Sequence, residues 1–85
     1  IRGTRGTALA ALGRFDEALP LLHEAMRGAE YLNHKASNAC TISMAEARRG
    51  NLDVARSFLE EARKLEPKCH LLPRAESVLR EGPFK

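Results

Sequence analysis

The sequence predicts an all-α fold of tandem antiparallel helical hairpins, about five helices in all. Two observations lead there. The composition is rich in alanine, leucine, arginine and glutamate, with aromatics at 5%; these residues lose little freedom in a helix, whereas strands prefer β-branched and aromatic side chains. The second is a self-similarity. Gly13-Arg14-Phe15-Asp16-Glu17-Ala18 and Gly50-Asn51-Leu52-Asp53-Val54-Ala55 share the pattern Gly-x-apolar-Asp-x-Ala, with their glycines 37 residues apart. Downstream, Ala18, Leu22 and Ala25 recur at the same spacing as Ala55, Leu59 and Ala62. A repeat of this period marks stacked helical units.

Each element follows from local chemistry. Helices are predicted over about 3–12, 16–30, 35–49, 53–66 and 69–82. Gly13 and Gly50 supply the left-handed backbone that ends one helix, and Asp16 and Asp53 are read as caps of the next. The second helix carries an apolar stripe of Phe15, Ala18, Leu19, Leu22, Ala25, Met26 and Ala29 at three- and four-residue steps. Such a stripe faces a core. Pro20 interrupts it, and with Asp16 as cap it removes only the first hydrogen bond of the helix. The third helix has a small-residue face of Ala36, Ala39, Cys40, Ser43 and Ala47, suited to close approach on both sides. Leu52, Ala55, Leu59, Ala62 and Leu65 form the stripe of the fourth, with Phe58 at its edge. Pro67 ends that helix, and Pro73 fits the first turn of the fifth, whose apolar face is Leu72, Ala75, Val78 and Leu79.

Length and charge restrict the function. Eighty-five residues make one domain at most. A net charge of +3 from 14 basic and 11 acidic residues is a mixed surface. Arg48–Arg49 and Arg63–Lys64 sit at helix ends, where cations complement the macrodipole. This disfavours a nucleic-acid partner, which would call for a clustered basic face. No run approaches the roughly 20 apolar residues of a membrane span. The chain starts at Ile1, so it is expected to be a fragment of a longer protein, and a cytoplasmic location is the simplest assumption. Cys40 and Cys69 show no disulfide framework and are expected to be reduced. His34, Cys40, Cys69 and His70 match no zinc spacing, and Cys69 beside His70 cannot readily form a nucleophile–base pair, since neighbouring helical residues point about 100° apart. No catalytic residue, cofactor or metal is predicted. His23 is read as solvated, and Tyr31, Leu32 and Phe84 as exposed apolar residues.

The motifs resemble the tetratricopeptide repeat, whose unit has W-x2-L-G-x2-Y in one helix and A-x3-F-x2-A in the next, followed by Pro. Ala18-x3-Leu22-x2-Ala25, and Ala55-x3-Leu59-x2-Ala62 with Pro67, match the second helix. Gly6 and Leu9 fit the first, where Arg2 and Arg5 replace large apolar residues; Ala39, Ile42, Ser43 and Glu46 stand at the signature positions of repeat two. The resemblance implies repeat one over about 2–34, repeat two over about 35–67 and a capping helix over about 69–82. The extra length of the unit is assigned to a longer second helix and a loop around Gly28–Lys35. It implies an α-solenoid, a superhelix whose inner groove is lined by the first helix of each hairpin. The groove would then be formed by Thr7, Ala10, Ala11, Ser37, Cys40, Thr41, Met44, Arg48, Leu71, Arg74 and Val78, with Arg48 and Arg74 as charged anchors. The positions of the family's clamp for acidic chaperone tails hold Gly3, Thr7, Thr41, Leu71 and Ala75, so that clamp is absent. The implied function is a scaffold or adaptor that binds another protein or peptide, with self-association through uncovered end helices. A regulatory or targeting domain of a larger enzyme, or an RNA-binding helical repeat, is the alternative.

Overall fold

The computed structural model describes residues 8–82. Helical backbone over 8–11, here α1, is followed by α2 (Phe15–Gly28), α3 (Leu32–Arg48), α4 (Leu52–Leu65) and α5 (Leu72–Glu81). No strand occurs among the described residues. The all-α expectation holds, and the helix pairs turn back on themselves at the two glycines.

Those two turns are the same object built twice. Gly13 and Gly50 have φ of 81° and 91°. At the first, the Arg14 N–H donates to the Leu9 carbonyl at 2.9 Å and the Gly13 N–H to that of Ala10 at 3.0 Å. At the second, Asn51 donates to Glu46 at 2.9 Å and Gly50 to Ala47 at 3.1 Å. This crossed pair satisfies two of the carbonyls that every helix end leaves open. Only one residue then separates the glycine from the next helix, and Arg14 (φ −90°, ψ 65°) and Asn51 (φ −86°, ψ 67°) take nearly identical conformations. They occupy the N-cap position, so the assignment of Asp16 and Asp53 as caps is corrected. The closing bonds leave room for a single linking residue, which draws each helix start back to Phe15 and Leu52. Both aspartates fall in the first turn instead, where a carboxylate still favours the positive end of the helix dipole.

The same shift revises Pro20. The first i→i−4 bond of α2 runs from Ala18 to Arg14 at 3.0 Å, so the proline removes the bond to Asp16 two steps later, and α2 continues through it. The link between α2 and α3 is also shorter than expected, since Tyr31 is already the N-cap of α3. The extra length of the unit lies in the 17 residues of α3, not in a longer second helix and loop.

Helix α3 packs against α2, α4 and α5. Ala36, Ala39, Cys40, Ile42, Ser43 and Ala47 are fully buried along it. Leu19 and Leu22 of α2 pack on Ile42 and Ala45; Leu59 and Ala62 of α4 and Leu72 and Ala75 of α5 pack on Ala36, Ala39 and Cys40. Met26 and Phe58 touch both clusters. The Ser43 hydroxyl, with no solvent contact, donates to the Ala55 carbonyl at 2.6 Å, which satisfies the one polar group that this close approach buries at that point.

The turn geometry gives a test. A Cβ added at Gly13 would meet nothing within 4 Å, so any cost of a side chain there comes from backbone conformation alone. Gly13→Ala should lower unfolding free energy by about 1–2 kcal/mol, and Gly13→Asn should lose less, because asparagine tolerates the left-handed region. Urea denaturation of the two variants measures this; an alanine as stable as glycine would mean that the turn does not hold this conformation.

Candidate interaction groove

Four helices contribute to one open groove of about 320 Å³. Ala10 and Ala11 of α1 and Phe15 at the start of α2 form one side. Thr41, Met44, Ala45 and Arg48 of α3 form the floor, and Leu71, Arg74 and Val78 at and within α5 form the far side. The spacing of the α3 residues explains their convergence: 41, 44, 45 and 48 are three- and four-residue steps on one face. The lining is mostly apolar, with Arg48, Arg74 and Thr41 as its polar members.

Of the residues expected from the sequence, Ala10, Ala11, Thr41, Met44, Arg48, Leu71, Arg74 and Val78 surround this groove. Thr7 lies outside the described residues. Ser37 and Cys40 are on α3 but do not line it. Cys40 is fully buried in the core with Leu72 and Ala75, and Ser37 faces Cys69, with Oγ 3.9 Å from Sγ. The physical reason is the position of the α4–α5 turn, which folds over the first half of α3 and covers both side chains. Phe15 and Ala45 join the lining without having been singled out for it. Both belong to apolar stripes, and no sequence signal separates a stripe residue that meets a neighbouring helix from one at the seam's open edge.

The two arginines differ. Arg48 is tied into the fold: Nη2 reaches Glu81 Oε1 at 2.8 Å and Nη1 donates to the Gly82 carbonyl at 3.2 Å. It thereby closes the last turn of α5 onto α3. Arg74 is exposed and, among the described residues, no hydrogen bond or ion pair holds it. Thr41 donates to the Ser37 carbonyl within its own helix at 3.0 Å.

The end of the stack near the glycine turns carries a second polar assembly that sequence reasoning missed. Glu46, buried, accepts from Asn51 Nδ2 at 3.0 Å and from Arg49 Nη1 at 3.4 Å, and Arg49 Nη2 lies 3.4 Å from Asp16 Oδ1. This chain of contacts joins one turn to the other. Its signal was the presence of a carboxylate at a signature position of repeat two, where a large ring is the family norm. His23 also differs from expectation: it packs edge-on against Phe58, with ring centroids 5.3 Å apart at 72°, and is only partly exposed. Tyr31 and Leu32 are exposed, and Phe84 lies outside the described residues.

A family model described as tetratricopeptide repeat matches residues 1–67. The chain belongs to the tetratricopeptide repeat family. No curated protein and no solved structure matches it significantly. The matched span ends at Pro67, so α5 lies beyond it. Tetratricopeptide repeats are in general protein-interaction modules and typically non-enzymatic scaffolds. No helix among the described residues is long and apolar enough to cross a membrane. Among these residues no group of three metal-ligating side chains comes together.

Burial pushes the Cys40 thiol from an ordinary 9.0 up to about 12, with the neighbouring Cys69 adding to the shift. The folded state therefore keeps a proton that the unfolded chain loses first. That contribution is intact below pH 9 and is lost as pH rises towards 12. In chemical denaturation between pH 8 and pH 10.5, wild type should lose more stability than Cys40→Ala, and equal losses would contradict this burial of the thiol.

Proposed function

We propose that this tetratricopeptide repeat chain is an adaptor module whose groove holds an amphipathic helix or peptide bearing an acidic residue. The observation that carries the proposal is the pairing of an apolar lining with one uncommitted cation on its rim. Ala11, Met44, Leu71 and Val78 offer a surface for apolar side chains at helical spacing, as in other helix-in-groove recognition. Arg74, exposed and without an internal partner among the described residues, would meet a carboxylate of the occupant. Arg48 contributes differently. Its guanidinium holds the end of α5, so it acts mainly by keeping the far wall in position.

The two arginines should separate in experiment. Arg74→Ala should leave stability within about 0.5 kcal/mol of wild type, as for an unpaired surface residue. Arg48→Ala should cost about 1 kcal/mol through the loss of its bonds to Glu81 and Gly82. Both are measured by urea denaturation.

A selection from a display library of amphipathic helical peptides tests the function itself. Wild type should enrich peptides with apolar residues at three- and four-residue steps and a flanking Asp or Glu. Arg74→Glu should shift that enrichment to Lys or Arg, and Ala11→Trp, which fills the groove, should abolish it. Enrichment that both variants leave unchanged would place the binding surface elsewhere.

A further inference from the structure

The two ends of the helical stack differ in how their charges are held. At the end formed by the glycine turns, arginines are matched with carboxylates: Arg14 with Glu17 at 2.7 Å, Arg48 with Glu81 at 2.8 Å, Arg49 with Asp16 at 3.4 Å and Arg56 with Asp53 at 3.8 Å. Successive helices run antiparallel, so the α2–α3 link and the α4–α5 turn lie together at the opposite end. Met26, Ala36, Ala62, Leu65 and Cys69 meet there in one cluster, and Ser37 Oγ lies 3.9 Å from Cys69 Sγ. Beside those residues in sequence stand Arg27, Lys35, Lys64 and Lys68. Among the described residues no ion pair or side-chain hydrogen bond engages any of these four, whereas nearby Arg63 is held by Glu60 and Glu76. The acids of the two segments are Glu30 and Glu66, and Glu66 already accepts from the Lys68 backbone N–H at 3.1 Å. The same end holds two adjacent large apolar side chains in water, Tyr31 at 62% and Leu32 at 57% exposure.

We propose that this end of the stack docks on an anionic lipid surface, with Tyr31 and Leu32 entering the headgroup region and the four cations lying over lipid phosphates and carboxylates. Peripheral attachment of this kind combines a small apolar insertion with electrostatic attraction and needs no spanning helix. The residue types favour lipid over the other anionic partners. Lysine is depleted in protein interfaces, where its ammonium must lose water; on a membrane it keeps that water while its methylene stem covers apolar surface. A tyrosine suits the headgroup level, with an apolar ring and a polar tip. A single-stranded nucleic acid would draw on cations along a groove that tracks its backbone and would gain nothing from Leu32, whereas here the cations come from two separate segments beside an apolar pair. Most of the groove, from Ala11 and Phe15 to Arg48, belongs to the other half of the stack. The docked chain therefore keeps its groove open to an occupant, and this inference does not depend on what that occupant is.

The test floats the whole chain with phosphatidylcholine vesicles, with or without about 30% phosphatidylserine, at low salt and at roughly 0.5 M salt. The expected result is flotation with the anionic vesicles, little with the neutral ones, and release by salt. Lys64→Glu with Lys68→Glu should weaken partitioning at least about tenfold, and Arg27→Glu with Lys35→Glu should repeat the loss from the other segment. Leu32→Glu should weaken it as well, through the lost insertion. Arg14→Glu with Arg56→Glu makes an equal change of net charge at the opposite end. The 17 residues of α3 separate the ends by about 25 Å, well beyond the screening length, so this variant should stay within about threefold of wild type. Circular dichroism confirms that each variant keeps its helices. Absence of flotation with anionic vesicles at low salt would overturn the proposal, as would equal binding to neutral ones or equal losses from charge reversal at either end. Binding of polyuridylate or polyglutamate that Lys64→Glu with Lys68→Glu abolishes, without flotation, would assign this end to a nucleic acid or an acidic protein and overturn the lipid reading.

Discussion

Helix α3 is enclosed by three others, and it can be because so many of its side chains are small. Ala36, Ala39, Cys40, Ser43 and Ala47 present little more than a methyl, thiol or hydroxyl group to their surroundings and are all fully buried. Helix backbones that approach this closely leave no room for water, so any polar group at the contact must find a protein partner. Ser43 shows the consequence, with its hydroxyl 2.6 Å from the Ala55 carbonyl. A larger residue at any of these positions would have to displace a neighbouring helix, because close-packed interiors have no spare volume. Larger side chains are supplied by the surrounding helices: Leu22, Leu59 and Leu72 fill the spaces between the alanines.

The groove follows from that enclosure. Where α3 is covered by the α4–α5 turn, its side chains enter the core; further along, at Thr41, Met44 and Arg48, α1 and α5 stand apart and leave a channel. Its apolar walls and its one unengaged arginine come from residues that the core does not consume. A module of a family of interaction scaffolds thus carries a surface of suitable shape. The proposed occupant, with an apolar face and a negative charge, would complement the chemistry of its walls.

The amino-acid pattern made most of this legible, for reasons that can be traced to particular residues. Gly13 and Gly50 announced two turns because only glycine accepts their φ values without strain, and the Ala–Leu–Ala spacing announced which faces meet. Helix starts were placed less well. Asp16 and Asp53 are favourable both as caps and in a first turn, and only the closing hydrogen bonds of the preceding helix decide between the two. Most of the positions expected from the resemblance border the open groove, to which α1, α3 and α5 contribute all but Phe15. Ser37 and Cys40 were not distinguishable from Thr41 and Met44 by position along α3, because what separates them is the path of a turn 30 or so residues further on. Arg48 was legible as a groove residue, but its bonds to Glu81 and Gly82 required knowing where α5 ends.

Phe58 has a wider reach than its half-buried position suggests. Stacked helical arrays are ordinarily held by contacts between adjacent units, and each unit can then loosen with some independence. Here the Phe58 ring of α4 meets His23 of α2 and packs on both apolar clusters, as does Met26 of α2. Opening either hairpin would therefore strip cover from the other, and the pair is bound to come apart in a single concerted event rather than by peeling from one end.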